Sequence, residues 1–151
     1  LIVASQLLFN LQSVARAPMV AEQHYNTDNA MFARMLGPTM NYSCGYWKDA
    51  ETLDEAQRNK MDLICRKLDL KEGMSVLDIG CGWGGLSLYM AKEYGVKVTG
   101  VTISTEQLAY AREHDAGHLV NWLLQDYRSM EGQFDRIVSV SMWDGKITIF
   151  S

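Results

Sequence analysis

The feature that most restricts this chain is a glycine-rich turn set between a strand and a helix. Ser75 to Ile79 reads as a strand, and Gly80-Cys81-Gly82-Trp83-Gly84-Gly85 follows at once, leading into a helical stretch from Leu86 to Tyr94. Glycine lets the backbone approach a ligand where a side chain would stand in the way, and open α/β sheets form their ligand crevice at the carboxyl ends of parallel strands. The turn therefore predicts a parallel sheet with a nucleotide-like cofactor at the end of its first strand.

The sequence after Met74 agrees with that prediction. The helix Leu86 to Tyr94 ends at Gly95, a natural left-handed cap, and Val96 to Thr102 reads as a second strand rich in Val and Thr. Ser104-Thr105-Glu106-Gln107 is a capping box that opens a helix to about His114, Leu119 to Leu124 is a third strand, and Phe134 to Met142 is a fourth. Strands alternating with helices signal a parallel α/β sheet rather than a bundle. A sheet of this kind normally carries further strands, so the expected fold is a Rossmann-like sheet cut after about four strands, its fourth strand an open apolar edge.

The first 73 residues have a helical texture, which divides the chain into an N-terminal segment, 1–73, and an α/β segment, 74–151. Val3, Leu7, Leu8, Leu11 and Val14 form a helical stripe that ends before Pro18. Asp28 offers a cap to a short helix with Met31, Phe32, Met35 and Leu36 on one face, read as core, and Gly37-Pro38 stops it. An aromatic stretch from Met40 to Lys48 follows, and Thr52-Leu53-Asp54-Glu55 is a capping box for a helix through Met61, Ile64 and Leu68.

Bulk properties narrow the function classes. With 151 residues, 48 % of them hydrophobic, the chain can bury a proper core, and a net charge of −4 lacks the basic balance of a nucleic-acid binder. Three cysteines, Cys44, Cys65 and Cys81, show no paired C-x-x-C spacing, so no metal centre is expected and a reduced, cytosolic compartment is. No run approaches the roughly 20 apolar residues of a membrane span.

The glycine spacing also separates cofactors. A dinucleotide fingerprint wants G-x-G-x-x-G and an acidic residue at the end of the second strand, whereas this strand ends in Thr102-Ile103-Ser104. At the end of the third strand Asp126 could accept from an adenine amino group and Tyr127 offers a face to the ring, although a solvated loop acid explains Asp126 alone as well. Asp78, two residues before Gly80, could orient the ammonium of a methionyl end. Together these positions favour S-adenosylmethionine over a dinucleotide.

Several stretches then make the chain recognisable: Leu8-Phe9-Asn10-Leu11-Gln12-Ser13, Glu22-Gln23-His24-Tyr25, Asn41-Tyr42-Ser43-Cys44-Gly45-Tyr46-Trp47, the glycine loop, Val101 to Gln107, and Leu124-Gln125-Asp126-Tyr127-Arg128. The chain resembles the cyclopropane-fatty-acyl-phospholipid synthases, relatives of the mycolic acid cyclopropane synthases, from about Leu8 to Val140. The Tyr-Ser-Cys motif joined to the G-C-G-W-G loop is specific to that family.

The resemblance implies a class I S-adenosylmethionine-dependent methyltransferase fold and transfer of a methylene group to the cis double bond of an unsaturated phospholipid acyl chain, at the membrane surface. By similarity Tyr42 and Ser43 contact the methionyl part, Gly80, Cys81, Gly82 and Trp83 form the loop around it, Thr102, Ile103 and Gln107 take the ribose side, and Asp126 and Tyr127 flank adenine. The alkene attacks the sulfonium methyl group, leaving a carbocation that needs stabilisation and a base. Tyr25 and Tyr46 supply ring faces, though Tyr46 reads equally well as aromatic core; His24 could touch the site.

The resemblance also implies a bicarbonate base, held partly by Cys44 and, in the full-length enzyme, by a Glu in a Glu-His pair after the fourth strand. Here Asp144 stands at the Glu position and Gly145 replaces the His, and Lys146 to Ser151 departs from the family pattern. The expected alternatives are a cofactor-binding product without activity, or a methyltransferase for a small soluble acceptor.

Overall fold

Helix α1, Asn29–Leu36, is the first element in the computed structural model, which describes residues 29–143 and 146–150. The stripe before Pro18, His24, Tyr25 and Asp144 lie outside the described residues. After α1 come α2, Leu53–Lys67, β1, Ser75–Ile79, α3, Gly85–Tyr94, β2, Lys97–Thr102, α4, Thr105–His114, and β3, Val120–Leu124. A 3-10 turn, Tyr127–Ser129, precedes β4, Arg136–Trp143, and β5, Lys146–Phe150.

The strands lie in the order β3-β2-β1-β4-β5. β1, β2, β3 and β4 are parallel, with Asp78 opposite Gly100 on one side and Val138 on the other. The chain moves outward from β1 to β3 and then crosses to β4 on the other flank, so the topological switch falls at the carboxyl end of β1. The glycine loop occupies that point. The fold is thus the Rossmann-like one expected.

Helix α2 begins where Thr52 predicts. The Thr52 hydroxyl accepts from the Glu55 N–H at 3.3 Å and the Glu55 carboxylate accepts from the Thr52 N–H at 3.0 Å. Its buried stripe, Met61, Ile64 and Cys65, joins Val76, Met90, Val98, Leu108, Trp122 and Val138 in one cluster. The N-terminal segment and the α/β segment therefore meet in a shared core. Ile64, Leu68, Met90, Val76 and Val138 are fully buried, each side chain contributing about 1.5–3 kcal/mol.

Two expectations are corrected. Met31 and Met35 are half exposed, while Phe32 and Leu36 are buried with Met40 and Trp83. Each pair has helical spacing, but one residue turns the helix by about 100°, so both pairs cannot share a narrow face. The edge of β4 is also not open: β5 pairs with it antiparallel, with Ile137 opposite Phe150 and Val140 opposite Ile147. The β-branched run Ile147-Thr148-Ile149 suits a strand, and a short connection favours a hairpin.

Strand β4 also starts later than Phe134. Ser75 donates to Asp135 Oδ2 through its N–H at 2.7 Å and its hydroxyl at 2.8 Å, and the Asp135 N–H donates to Ser75 Oγ at 3.1 Å. Side-chain bonds replace the ladder there, and regular pairing with β1 begins at Arg136.

Candidate active site

The loop between β1 and α3 is clamped at its base and open above. The Gly80 and Cys81 N–H groups both donate to the Val101 carbonyl, at 2.9 and 3.0 Å, and Gly84 N–H returns to the Cys81 carbonyl at 3.0 Å. Gly80, Gly82 and Gly84 have φ of +72°, +58° and +90°, a region that favours glycine.

The glycines serve different ends. A Cβ on Gly84 would stand 2.5 Å from the Trp122 ring, and one on Gly85 would stand 2.1 Å from the Thr39 carbonyl oxygen, so these two permit close packing. A Cβ on Gly82 would meet nothing within 4 Å. The Gly82 N–H also has no acceptor among the described residues. Space and a spare donor at the switch point are what a bound cofactor needs, and the loop fits one.

Beneath the loop, Asp78 is buried, and its Oδ2 accepts from Ser87 Oγ at 2.6 Å. Its Oδ1 has no donor among the described residues. Burial raises this carboxyl to about 6, and the Ser87 bond only partly offsets that. A cation placed here would restore its charge, as an amino-acid ammonium would.

The stretch carrying Tyr42-Ser43-Cys44 forms a strap between α3 and α2. Thr39 borders Gly85, a Cβ on Gly45 would lie 2.8 Å from the Ala56 Cβ, and the Tyr46 N–H donates to the Ala56 carbonyl at 2.8 Å. From α2, Gln57 Nε2 donates to the Ser43 carbonyl at 2.9 Å and Lys60 Nζ donates to Ser43 Oγ at 2.7 Å. Tyr42, Cys44 and Tyr46 are exposed, so Tyr46 is not core. Tyr42 meets Phe32 edge to face, with centroids 5.6 Å apart.

On the opposite flank the groups satisfy one another. Thr102 Oγ1 donates to Gln107 Oε1 at 3.0 Å and accepts from the Ser104 N–H at 3.2 Å, which leaves the Gln107 amide nitrogen without a partner among the described residues. Ile103 is exposed beside them. Asp126 Oδ1 accepts from the Arg128 backbone and Nε, each at 2.9 Å, while Oδ2 pairs with the guanidinium. Arg128 thereby holds the Asp126 carboxyl below its ordinary range. A carboxylate offers about four acceptor sites, so room remains for one external N–H. Tyr127 stands next to it, half-buried.

The Trp83 and Cys81 side chains turn into the protein. Trp83 packs on Phe32, centroids 4.8 Å apart, and Nε1 donates to Asn29 Oδ1 at 2.9 Å. Burial pushes the Cys81 thiol well up, so it stays protonated and is loop packing. Only the backbone of these two borders the open space.

The residues that sequence inspection passes over are Gln57, Lys60, Ser87 and Ser139. Gln57 and Lys60 are polar yet fall on the buried stripe of α2 with Ala56, Met61 and Ile64, and that break in the pattern is the signal that could have found them. Buried side-chain oxygens without a partner among the described residues are Thr39 Oγ1, Gln57 Oε1 and Ser139 Oγ. They belong to the strap, the helix under it, and β4 opposite the last residue of β1. Among the described residues no group of His, Cys, Asp and Glu could hold a metal.

Comparison with known proteins gives this geometry a family. The family model described as mycolic acid cyclopropane synthetase matches residues 12–146. The cyclopropane-fatty-acyl-phospholipid synthase of Escherichia coli K12 is 58 % identical over 142 residues, covering 94 % of this chain and 37 % of the relative. The chain thus spans well under half the length of that relative. Among solved structures, the mycolic acid cyclopropane synthase CmaA1, complexed with SAH and CTAB, superposes with a TM-score of 0.76 at 36 % identity, over 82 % of this chain and 45 % of that one. Coclaurine N-methyltransferase, bound to N-methylheliamine and SAH, gives a TM-score of 0.78 at 34 % identity, over 83 % of this chain and 38 % of that one. A family match over most of the chain, together with these likenesses in sequence and fold, shows that this chain belongs to the mycolic acid cyclopropane synthetase family.

Proposed function

We propose that this chain forms the S-adenosylmethionine site of an enzyme that adds a methylene group across the cis double bond of an unsaturated phospholipid acyl chain. The observation that carries this reading is the seating of the Tyr42-Ser43-Cys44 strap against the first residue of α3, with Thr39 against Gly85, beside the open turn at Gly82. When bound, the cofactor supplies an electrophilic methyl group, which becomes the ring carbon once a proton is lost.

The chain's own residues have separable tasks. Asp78, held by Ser87, receives the methionyl ammonium, and Ser43 and Tyr42 receive the carboxylate side. The Gly82 N–H and the unfilled space above it admit the chain of the amino acid. Gln107 offers its amide nitrogen to the ribose hydroxyls, Thr102 fixes that amide, and Ile103 covers the sugar edge. Asp126 accepts from the adenine amino group while Tyr127 flanks the ring. Cys44, exposed at the rim, belongs with His24, Tyr25 and Asp144 to the bicarbonate and acyl-chain side of the reaction.

A phospholipid substrate draws support from the 58 % identity to the Escherichia coli synthase. It would be met at a membrane surface by a cytoplasmic protein; among the described residues no helix is long and apolar enough to cross a membrane. The fold shared with coclaurine N-methyltransferase favours the second reading, a small soluble acceptor. Incubating the protein with S-adenosylmethionine and vesicles of unsaturated phospholipid separates the two. Acyl chains heavier by one methylene, with the double bond lost, are expected. Unchanged lipid beside a methylated small amine would defeat the lipid reading.

A further inference from the structure

Lys60 is a buried ammonium with no carboxylate in ion-pair range among the described residues. Its side-chain partner is the Ser43 hydroxyl, 2.7 Å from Nζ. Burial draws Lys60 down to about 8, yet it still carries its proton at neutral pH. Burying a charge with one neutral partner is costly, and a helix stripe that also carries Ala56, Met61, Ile64 and Cys65 would accept an apolar residue more cheaply. A role for the charge at this position is therefore implied.

The chemistry of the contact shows which role. An ammonium has donors and no acceptor, so Ser43 Oγ must accept from Lys60. A hydroxyl has one proton, and that of Ser43 has no acceptor among the described residues. Gln57 meanwhile fixes the Ser43 carbonyl from the same helix. The hydroxyl is thus held in place, polarised by a neighbouring cation, and left with its proton to give. Its strap borders the glycine loop, where an anionic group would both take that proton's hydrogen bond and offset the buried charge.

We propose that Lys60 is a positioning residue that orients and polarises the Ser43 hydroxyl as a donor to the carboxylate of the bound amino-acid end, with Gln57 fixing the strap. This rests on the reading of the loop as an S-adenosylmethionine site. It adds a specificity element, which distinguishes ligands bearing the carboxylate from those that lack it.

The test is calorimetric titration of the chain with two probes, S-adenosylhomocysteine, which has the carboxylate, and 5′-methylthioadenosine, which has the same nucleoside thioether without the amino acid. Lys60→Gln is expected to weaken S-adenosylhomocysteine by about ten- to a hundredfold while leaving 5′-methylthioadenosine within about twofold. Equal losses for both probes, or no loss for either, would overturn the proposal and leave the cofactor site standing. Should wild-type protein bind neither probe, the cofactor reading itself falls and this role with it. Where Lys60→Gln lacks a cooperative melt, Ser43→Ala decides: the same selective loss supports the proposal, and unchanged affinity for S-adenosylhomocysteine overturns it.

Discussion

The two ends of the proposed cofactor site are built on opposite principles. At the amino-acid end, among the described residues, the buried Asp78 carboxylate is held by Ser87 on one oxygen alone and the buried Lys60 ammonium has no carboxylate in ion-pair range. At the nucleoside end, Asp126 is paired with Arg128, and Thr102 with Gln107. Among the described residues the first end holds charge that lacks a counter-ion, while at the second the charged and hydroxyl groups already pair with one another and leave the Gln107 amide nitrogen to spare. A zwitterionic amino acid suits the first and a neutral nucleoside suits the second. Charge complementarity should therefore dominate at one end and shape at the other.

The strongest way to break this contrast is to move the strap away from the loop. Gly85→Ala puts a methyl 2.1 Å from the Thr39 carbonyl oxygen, a backbone atom that cannot swing aside. Overpacking of this kind costs about 3 kcal/mol, which for a domain of this size lowers Tm by roughly 10 °C. Thermal melting should show that fall, together with loss of S-adenosylhomocysteine binding. A wild-type Tm would mean that Thr39 yields freely and the strap is not fixed.

Asp78→Asn sharpens the contrast through pH. Burial lifts the folded carboxyl to about 6, above its ordinary value of 3.8, so the folded state retains a proton that the unfolded chain gives up. The contribution to stability is complete below about pH 4 and is lost as pH rises through 6. The Asn variant should escape that loss and gain on the order of 2 to 3 kcal/mol above pH 7, measured by denaturant unfolding. It should bind S-adenosylhomocysteine about tenfold or more weakly, without the wild-type rise in affinity between pH 5 and 7, and bind 5′-methylthioadenosine unchanged. An affinity that is flat with pH in the wild type would separate Asp78 from the ligand.

Arg128→Ala probes the satisfied end and should do least. Removing a partly exposed pair weakens the hold on Asp126, and both probes should lose affinity alike by about two- to fivefold. A loss confined to S-adenosylhomocysteine would contradict the assignment of this end to the nucleoside.

The contrast between the ends also explains what could be read in the sequence. The glycine turn, the Thr52 capping box and the alternation after Met74 are local signals, and they place β1 to β4 and the switch point correctly; at Ser104 the cap forms but the box does not, because Thr102 takes both the Gln107 side chain and the Ser104 N–H. Met31 and Met35 mislead because helical spacing alone does not say which of two overlapping stripes the tertiary contacts bury. The pairing of β5 is a long-range event that follows from hairpin geometry rather than from any motif. Within the proposed site, Asp126 and Gly82 stand out from their positions just after strand ends. Lys60 and Gln57 are hidden by a sequence distance of more than a dozen residues from Ser43, and only the folded helix brings them under the strap.

The measurement closest to the central claim is the titration of the chain and its Gly82→Asp variant with S-adenosylhomocysteine. The new side chain enters open space, and Asp tolerates a φ of +58° better than most residues, so the variant should fold with its cooperative melt intact. Saturable binding with one site per chain is expected for the wild type, abolished by the carboxylate that then fills the cradle. No detectable binding by the wild type, or binding untouched by Gly82→Asp, would contradict it.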